Sequence, residues 1–298
     1  MIQRFDKRNK DIQVWINDRL VHRDMAKVSV FDSVVQGGDA VWEGIRVYNG
    51  KIFCFEKHLN RLMESAKSLD FINIPTLMEI KEAVFATLKA NRMRDETHIR
   101  LTLTRGEKIT SGMNPELNQS GCTLIVLAEW KSAIYSGIDL SLVTSNVRRM
   151  SPLFLDSRIH HANLINNILA KIEANNAGVD DAVMLDINGF VAETNATNIF
   201  MIKEGIVYTP YPKACLPGIT RGLIIQICKV NNIEIIEKDI SITELYNADE
   251  VFTTGTMGEI ARVNEIDKRK INNQGVLLSQ IKSLFMNLTE TEGERLSF

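Results

Sequence analysis

Residues Ile199-Phe200-Met201-Ile202-Lys203-Glu204-Gly205-Ile206-Val207-Tyr208-Thr209 set two β-branched, apolar runs on either side of Glu204-Gly205. That pattern predicts a β-hairpin closed by a tight turn. Shortly after it, Ile219 to Val230 carries apolar residues at helical spacing, which predicts a helix. Working outward, Ala182 to Asp186 predicts another hairpin, turning through Asn188-Gly189, and a helix from about His160 to Ala177 is ended by Gly178. A strand near Leu140 to Thr144 precedes that helix. A strand at Ile233 to Glu237, a short helix at Thr243 to Tyr246 and a strand at Glu250 to Thr254 follow the second one. Strands and helices mix without regular βαβ alternation, so the fold class expected is α+β rather than a doubly wound sheet.

The N-terminal half supports the same class. Val47 to Phe53 turns through Asn49-Gly50, and Leu59, Leu62, Met63, Ala66 and Leu69 repeat at helical spacing. Thr76-Leu77-Met78-Glu79 is a capping box opening a helix with Leu77, Ile80, Val84 and Leu88 on one face. In His98 to Arg105, Ile99, Leu101 and Leu103 share one side of a strand, and His98, Arg100, Thr102 and Thr104 share the other. Cys122 to Ala128 reads as a more buried strand. At 298 residues the size prior favours two domains. The expected division is a small N-terminal α+β domain over 1–130, a linker over 131–135, and a larger C-terminal α+β domain over 136–298.

With 35 Lys+Arg against 37 Asp+Glu, the net charge of −2 gives no electrostatic reason to expect a nucleic-acid partner. The N-terminus is charged where a signal peptide needs an apolar stretch, and no apolar run approaches a membrane span, so the expectation is a cytoplasmic protein without a membrane partner. Cys54, Cys122, Cys215 and Cys228 are far apart and form no C-x-x-C pair, which predicts reduced thiols and no zinc knuckle. For His160-His161 no third ligand stands at metal-binding spacing, so no metal is expected.

No dinucleotide fingerprint, Walker loop, zinc-protease helix or nucleophile elbow is present. Three turns end apolar segments in the second half: Phe190 to Asn195, Leu216-Pro217-Gly218-Ile219-Thr220-Arg221, and Thr253-Thr254-Gly255-Thr256-Met257-Gly258. The second puts a hydroxyl at a helix N-terminus, where unpaired amides and the dipole favour a phosphate; simple N-capping is the alternative. Thr254-Gly255-Thr256 can aim amides and hydroxyls at an anion, or be only a turn. Glu193, at a strand end, could keep a heteroaromatic ring nitrogen protonated, or be a solvated carboxylate. Arg61 could grip a phosphate by a forked contact, or lie on the surface.

Together these stretches resemble the fold-type IV pyridoxal-phosphate enzymes, the class IV aminotransferases that include branched-chain and D-amino-acid transaminases. The similarity runs from about Ile12 to Ile266. It rests on Trp42-Glu43-Gly44-Ile45-Arg46, His58-Leu59-Asn60-Arg61-Leu62, Asn166 to Ala174, Leu216 to Arg221, and Ala248-Asp249-Glu250-Val251-Phe252 leading into Thr254-Gly255-Thr256. The resemblance implies a two-domain α+β fold with pyridoxal or pyridoxamine phosphate between the domains, an amino acid and a 2-oxo acid as substrates, and a homodimer. Carried over by position, it implies that Arg61, Ile219, Thr220 and Thr256 hold the phosphate, the last through the turn containing Gly255. It also implies that Glu193 meets the pyridine nitrogen, that the amides of Thr256 and Met257 face the substrate carboxylate, and that Arg100 lies near the substrate.

One departure bears on activity. The family's Schiff-base lysine is expected just before the helix, where this chain reads Ser157-Arg158-Ile159-His160-His161-Ala162-Asn163, and no lysine stands between Lys131 and Lys171. Imidazole can carry a proton but cannot anchor an aldehyde. The expected activity is a branched-chain-type transaminase, slowed or abolished, with His160 as proton shuttle. The alternatives are a non-catalytic binder of the cofactor or a phosphate ligand, and a lyase of the same fold resembling aminodeoxychorismate lyase.

Overall fold

A computed structural model describes residues 5–135, 137–272 and 275–298, and the chain divides into two units. The N-terminal unit takes the chain as far as Ser132 together with Ile159–Asn163 and Glu292–Phe298. Its elements are β1 (Gln13–Ile16), β2 (Arg19–His22), α1 (Ser33–Gly37), β3 (Ala40–Tyr48), β4 (Lys51–Ile52), α2 (Phe55–Ser68), α3 (Leu77–Ala90), β5 (Thr97–Thr104) and β6 (Thr123–Trp130). They form an antiparallel sheet in the order Glu294–Arg295, β4, β3, β5, β6, β1, β2.

The period-2 pattern explains the core. Ile99, Leu101 and Leu103 on β5 are fully buried, and β3 sets Ile45, Glu43 and Val41 opposite them in that order. Leu59, Leu62 and Ala66 of α2 and Ile80, Val84 and Leu88 of α3 complete the same cluster. The capping box forms as the sequence predicts, with Thr76 and Glu79 satisfying each other's backbone amides. Asn49 and Gly50 both adopt positive φ, 47° and 76°, the geometry a type I′ hairpin requires.

The C-terminal unit comprises Ala133–Arg158 and Leu164–Thr291. It contains β7 (Leu140–Thr144), α4 (Ile165–Ala177), β8 (Asp181–Leu185), β9 (Val191–Thr194), β10 (Asn198–Lys203), β11 (Ile206–Thr209), α5 (Ile219–Val230), β12 (Ile235–Glu237), α6 (Ile242–Tyr246), β13 (Glu250–Gly255), β14 (Glu259–Ile266), β15 (Arg269–Lys270) and α7 (Leu277–Thr291). The sheet runs β12-β11-β10-β13-β14-β7-β8-β9, with β15 on β14. It is mixed: β11/β12, β14/β7 and β7/β8 are parallel, and the hairpins are antiparallel. The α+β class therefore holds in each unit. Among the described residues no helix is long and apolar enough to cross a membrane.

Three expectations are corrected. The helix expected from about His160 begins at Ile165. The residues before it are spent on β3: Trp42 N–H donates to the His160 carbonyl (2.9 Å), Ala162 N–H to that of Ala40 (2.8 Å), and His161 bridges Val41. For the same reason the expected contiguous split at 131–135 gives way to an interleaved one. Ile159–Asn163 and the C-terminal residues that pair with β4 belong to the N-terminal unit. The turn through Asn188-Gly189 is wider than a two-residue hairpin, since Asp186 Oδ1 accepts both the Asn188 and Phe190 amides and only Gly189 takes positive φ (86°).

Candidate functional site

In the C-terminal unit the three turns singled out in the sequence converge on Asn198. This residue opens β10, directly opposite Thr254 of β13. Its side-chain amide donates to the Leu216 carbonyl (2.9 Å) and to Glu193 Oε2 (3.2 Å). A Cβ on Gly218 would run into Asn198 Oδ1, so glycine is what lets the 216–218 loop lie against β10 and enter α5. Gly218 is the N-cap and has no side chain to cap with. Thr220 lies inside the first turn and makes no side-chain cap, so the capping alternative is overturned. The Thr253 and Thr254 hydroxyls are buried without a hydrogen-bond partner. Such donors cost free energy unless something accepts from them.

The turn after β13 is held from a second side. Ile134 N–H donates to the Met257 carbonyl (2.9 Å), and the Tyr135 ring, bonded through its hydroxyl to Asp181, lies where a Cβ on Gly258 would come within 3.0 Å. Glu193 is buried, and burial pushes its carboxyl above the usual range while Arg149 pulls it down. The Arg149 Nε donates to Glu193 Oε1 at 2.6 Å, and its Nη1 to Asn166 and Asn167 of α4 at 3.1 and 3.3 Å. The carboxylate thus has a cation on one oxygen and an amide on the other, a setting that keeps a proton on a basic ring nitrogen placed beside it.

In the N-terminal unit the centre is Glu43, whose side chain has no exposure although its neighbours in the row are apolar. Its Oε1 accepts from Arg61 Nε (2.7 Å) and His160 Nδ1 (3.1 Å), and its Oε2 from Arg61 Nη2 (2.7 Å) and His58 Nδ1 (2.7 Å). Burial alone would raise the Glu43 carboxyl; the charge attraction of His160 and the bonds from Arg61, His160 and His58 outweigh it and hold the group well below the usual range. Burial pushes both imidazoles down, with Glu43 offsetting part of the effect. The His160 ring packs on Trp42 (centroids 4.2 Å apart), and the Arg100 guanidinium lies 3.7 Å from the Trp42 ring centre.

A pH dependence follows from His98. Burial, with Lys131, Arg46 and Arg100 nearby, pushes its pKa down to about 3. Between pH 6.5 and 3 the unfolded chain takes up a proton that the folded chain refuses. The residue's contribution is whole above pH 6.5 and drains as pH falls, by roughly 4–5 kcal/mol in all at about 1.36 kcal/mol per pH unit. Urea midpoints between pH 7 and 4 should fall, and His98→Gln should flatten the fall. An unchanged slope in that variant contradicts the assignment.

The structure thus gathers Glu193, Ile219, Thr220, Gly255, Thr256 and Met257 in one unit and Arg61, Arg100 and His160 in the other. Arg61 makes a forked contact to Glu43 through Nε and Nη2. The sequence reading missed Glu43, Asn198 and Arg149. A carboxylate in the buried phase of β3 was the signal available for the first. Among the described residues no cluster of metal-ligating side chains occurs.

The sequence from residue 40 to 266 matches the family model described as amino-transferase class IV. The chain belongs to the class IV aminotransferase family. Within it, the chain is 56% identical over 96% of its length to the branched-chain-amino-acid aminotransferase-like protein 2 of Arabidopsis thaliana, and spans about half (52%) of that relative. It is 40% identical to a putative branched-chain-amino-acid aminotransferase of Methanocaldococcus jannaschii, covering 93% of this chain and 96% of the other. Among solved structures, the branched-chain amino acid aminotransferase of Thermobaculum terrenum in its PLP-bound holo form superposes with a TM-score of 0.84 at 26% identity, covering 94% of each chain.

Proposed function

We propose that this chain is a pyridoxal- or pyridoxamine-phosphate-dependent aminotransferase of the branched-chain type, which moves an amino group from an amino acid to a 2-oxo acid with His160 where the resemblance leads one to expect a Schiff-base lysine. The observation that carries the reading is the convergence on Asn198 of a buried, Arg149-paired Glu193, the loop that enters α5 and the end of β13 that leads into Gly255-Thr256. Glu193 would take the pyridine nitrogen. The Ile219 and Thr220 amides, the Thr220 hydroxyl and the turn Gly255-Thr256 would take the phosphate, neutralised by the α5 dipole. The Thr256 and Met257 amides would face the substrate carboxylate. When bound, the cofactor supplies the electron sink for the amino-group transfer.

His160 puts an imidazole base, and no amine, at the position where the resemblance leads one to expect the Schiff-base lysine. The cofactor is then held by non-covalent contacts and leaves on dialysis, and the same feature supports a second reading, a non-catalytic binder of the phosphorylated cofactor. Calorimetry with pyridoxamine phosphate tests the shared part. Thr220→Val should weaken binding about ten- to a hundredfold, as expected for a lost hydrogen bond to a charged group, and leave the affinity for unphosphorylated pyridoxamine unchanged. Equal binding by wild type and variant contradicts the cup.

The partner belongs to the same reading. Ile165, Ile168, Leu169 and Ile172 make an exposed apolar stripe along α4, which a second copy of the chain would cover. Sedimentation should give a dimer for wild type and a monomer for Ile168→Asp; an unchanged mass removes α4 from the interface.

A further inference from the structure

The Glu43 cluster constrains more than charge. An ionised carboxylate has no proton to give, so the two imidazoles that meet it must both donate from Nδ1. His58 is sealed, with 3% of its side chain exposed, whereas His160 keeps 14%. The backbone of His160 is tied on both sides, its N–H donating to Ser65 Oγ (3.1 Å) and its carbonyl accepting from Trp42 N–H (2.9 Å), and Trp42 also packs on the ring. The ring therefore has one orientation, with Nδ1 committed and Nε2 left as the nitrogen that can take a proton.

We propose that Glu43 is a positioning residue for His160: it holds the imidazole as the Nδ1–H tautomer, so that Nε2 carries the lone pair that receives the substrate's proton. The inference rests on the aminotransferase reading above. The transfer puts one proton on Nε2 and takes it off again; Nδ1 keeps its own, and Glu43 stays a carboxylate that balances the imidazolium while it lasts. Arg61 serves the same end. Its guanidinium offsets the buried charge of Glu43, so the carboxylate does not need a proton from either imidazole. A carboxylate that orients a histidine base in this way is worth several orders of magnitude in rate where the wrong tautomer replaces it.

The test begins with the wild type labelled with ¹⁵N-histidine. Long-range proton–nitrogen spectra should assign the His160 proton to Nδ1 and a lone pair to Nε2; the reverse assignment overturns the proposal, and the measurement needs neither cofactor nor variant. In Glu43→Gln the side-chain amide can donate to Nδ1, and the tautomer should flip. The single-turnover reaction of an amino acid with bound pyridoxal phosphate should then fall about 10²–10⁴-fold, the range of general-base contributions. His160→Ala should fall as far, and the double variant no further. A Glu43→Gln protein with a flipped tautomer and an unchanged rate overturns the base role. A wild type that binds no pyridoxamine phosphate overturns the aminotransferase reading and with it the base role, while the wild-type spectrum still decides what Glu43 does to the ring.

Discussion

His160→Lys is expected to raise transamination by about 10²-fold or more over wild type, measured with a panel of branched-chain and other amino acids and 2-oxoglutarate as acceptor. The reason is chemical. A primary amine bonds to the cofactor aldehyde, is displaced by the incoming amino group and remains beside the reacting carbon as a base, whereas imidazole does only the last of these. Position 160 is ready for a cation, since Glu43 already accepts from the side chain there at 3.1 Å. A gain of turnover means that the rest of the site is intact and the amine alone is missing. No gain, with the variant folded and binding pyridoxamine phosphate, places the defect elsewhere and favours the non-catalytic reading.

The largest stability effect is expected from Glu43→Ala. Glu43 has no exposure, and Arg61, only 13% exposed, spends its fork on it. Truncation leaves a largely desolvated guanidinium and two imidazole N–H groups without their acceptor. Removing one member of a buried ion pair typically costs about 3–5 kcal/mol. The urea midpoint should fall accordingly, and Glu43→Ala with Arg61→Met should recover part of the loss because no uncompensated cation remains. A loss below about 1 kcal/mol would mean that water or another group replaces the carboxylate.

How much of this was legible depended on distance along the chain. Local grammar transferred well: Asn49-Gly50 and Glu204-Gly205 both take the paired positive φ of a type I′ turn, Thr76 and Glu79 close the capping box, and α5 spans Ile219–Val230 as its periodicity predicts. The start of α4 was not legible, because its N-cap, Leu164, has no side-chain cap to announce it and the preceding residues are claimed by β3. Turn motifs at the ends of apolar segments singled out Glu193, Thr220 and Thr256 but could not name the groups around them. Asn198 reads as an ordinary strand residue until Leu216 and Gly218 fold against it. Arg149 stands in an irregular basic stretch with Arg148, and its partner Glu193 lies 44 positions further along the chain. Arg61 was legible as a residue able to make a forked contact, but Glu43, 18 positions earlier, was not legible as a partner of that fork.

The proposed phosphate cup and ring-nitrogen partner lie in a chain with no lysine between Lys131 and Lys171. The most direct measurement is to saturate the protein with pyridoxal phosphate, treat half with borohydride, dialyse both and weigh them by mass spectrometry. The predicted result is stoichiometric binding before dialysis, loss of the cofactor afterwards, and no specific adduct in the reduced sample. A borohydride-fixed adduct on one particular lysine, or no saturable binding at all, would contradict it.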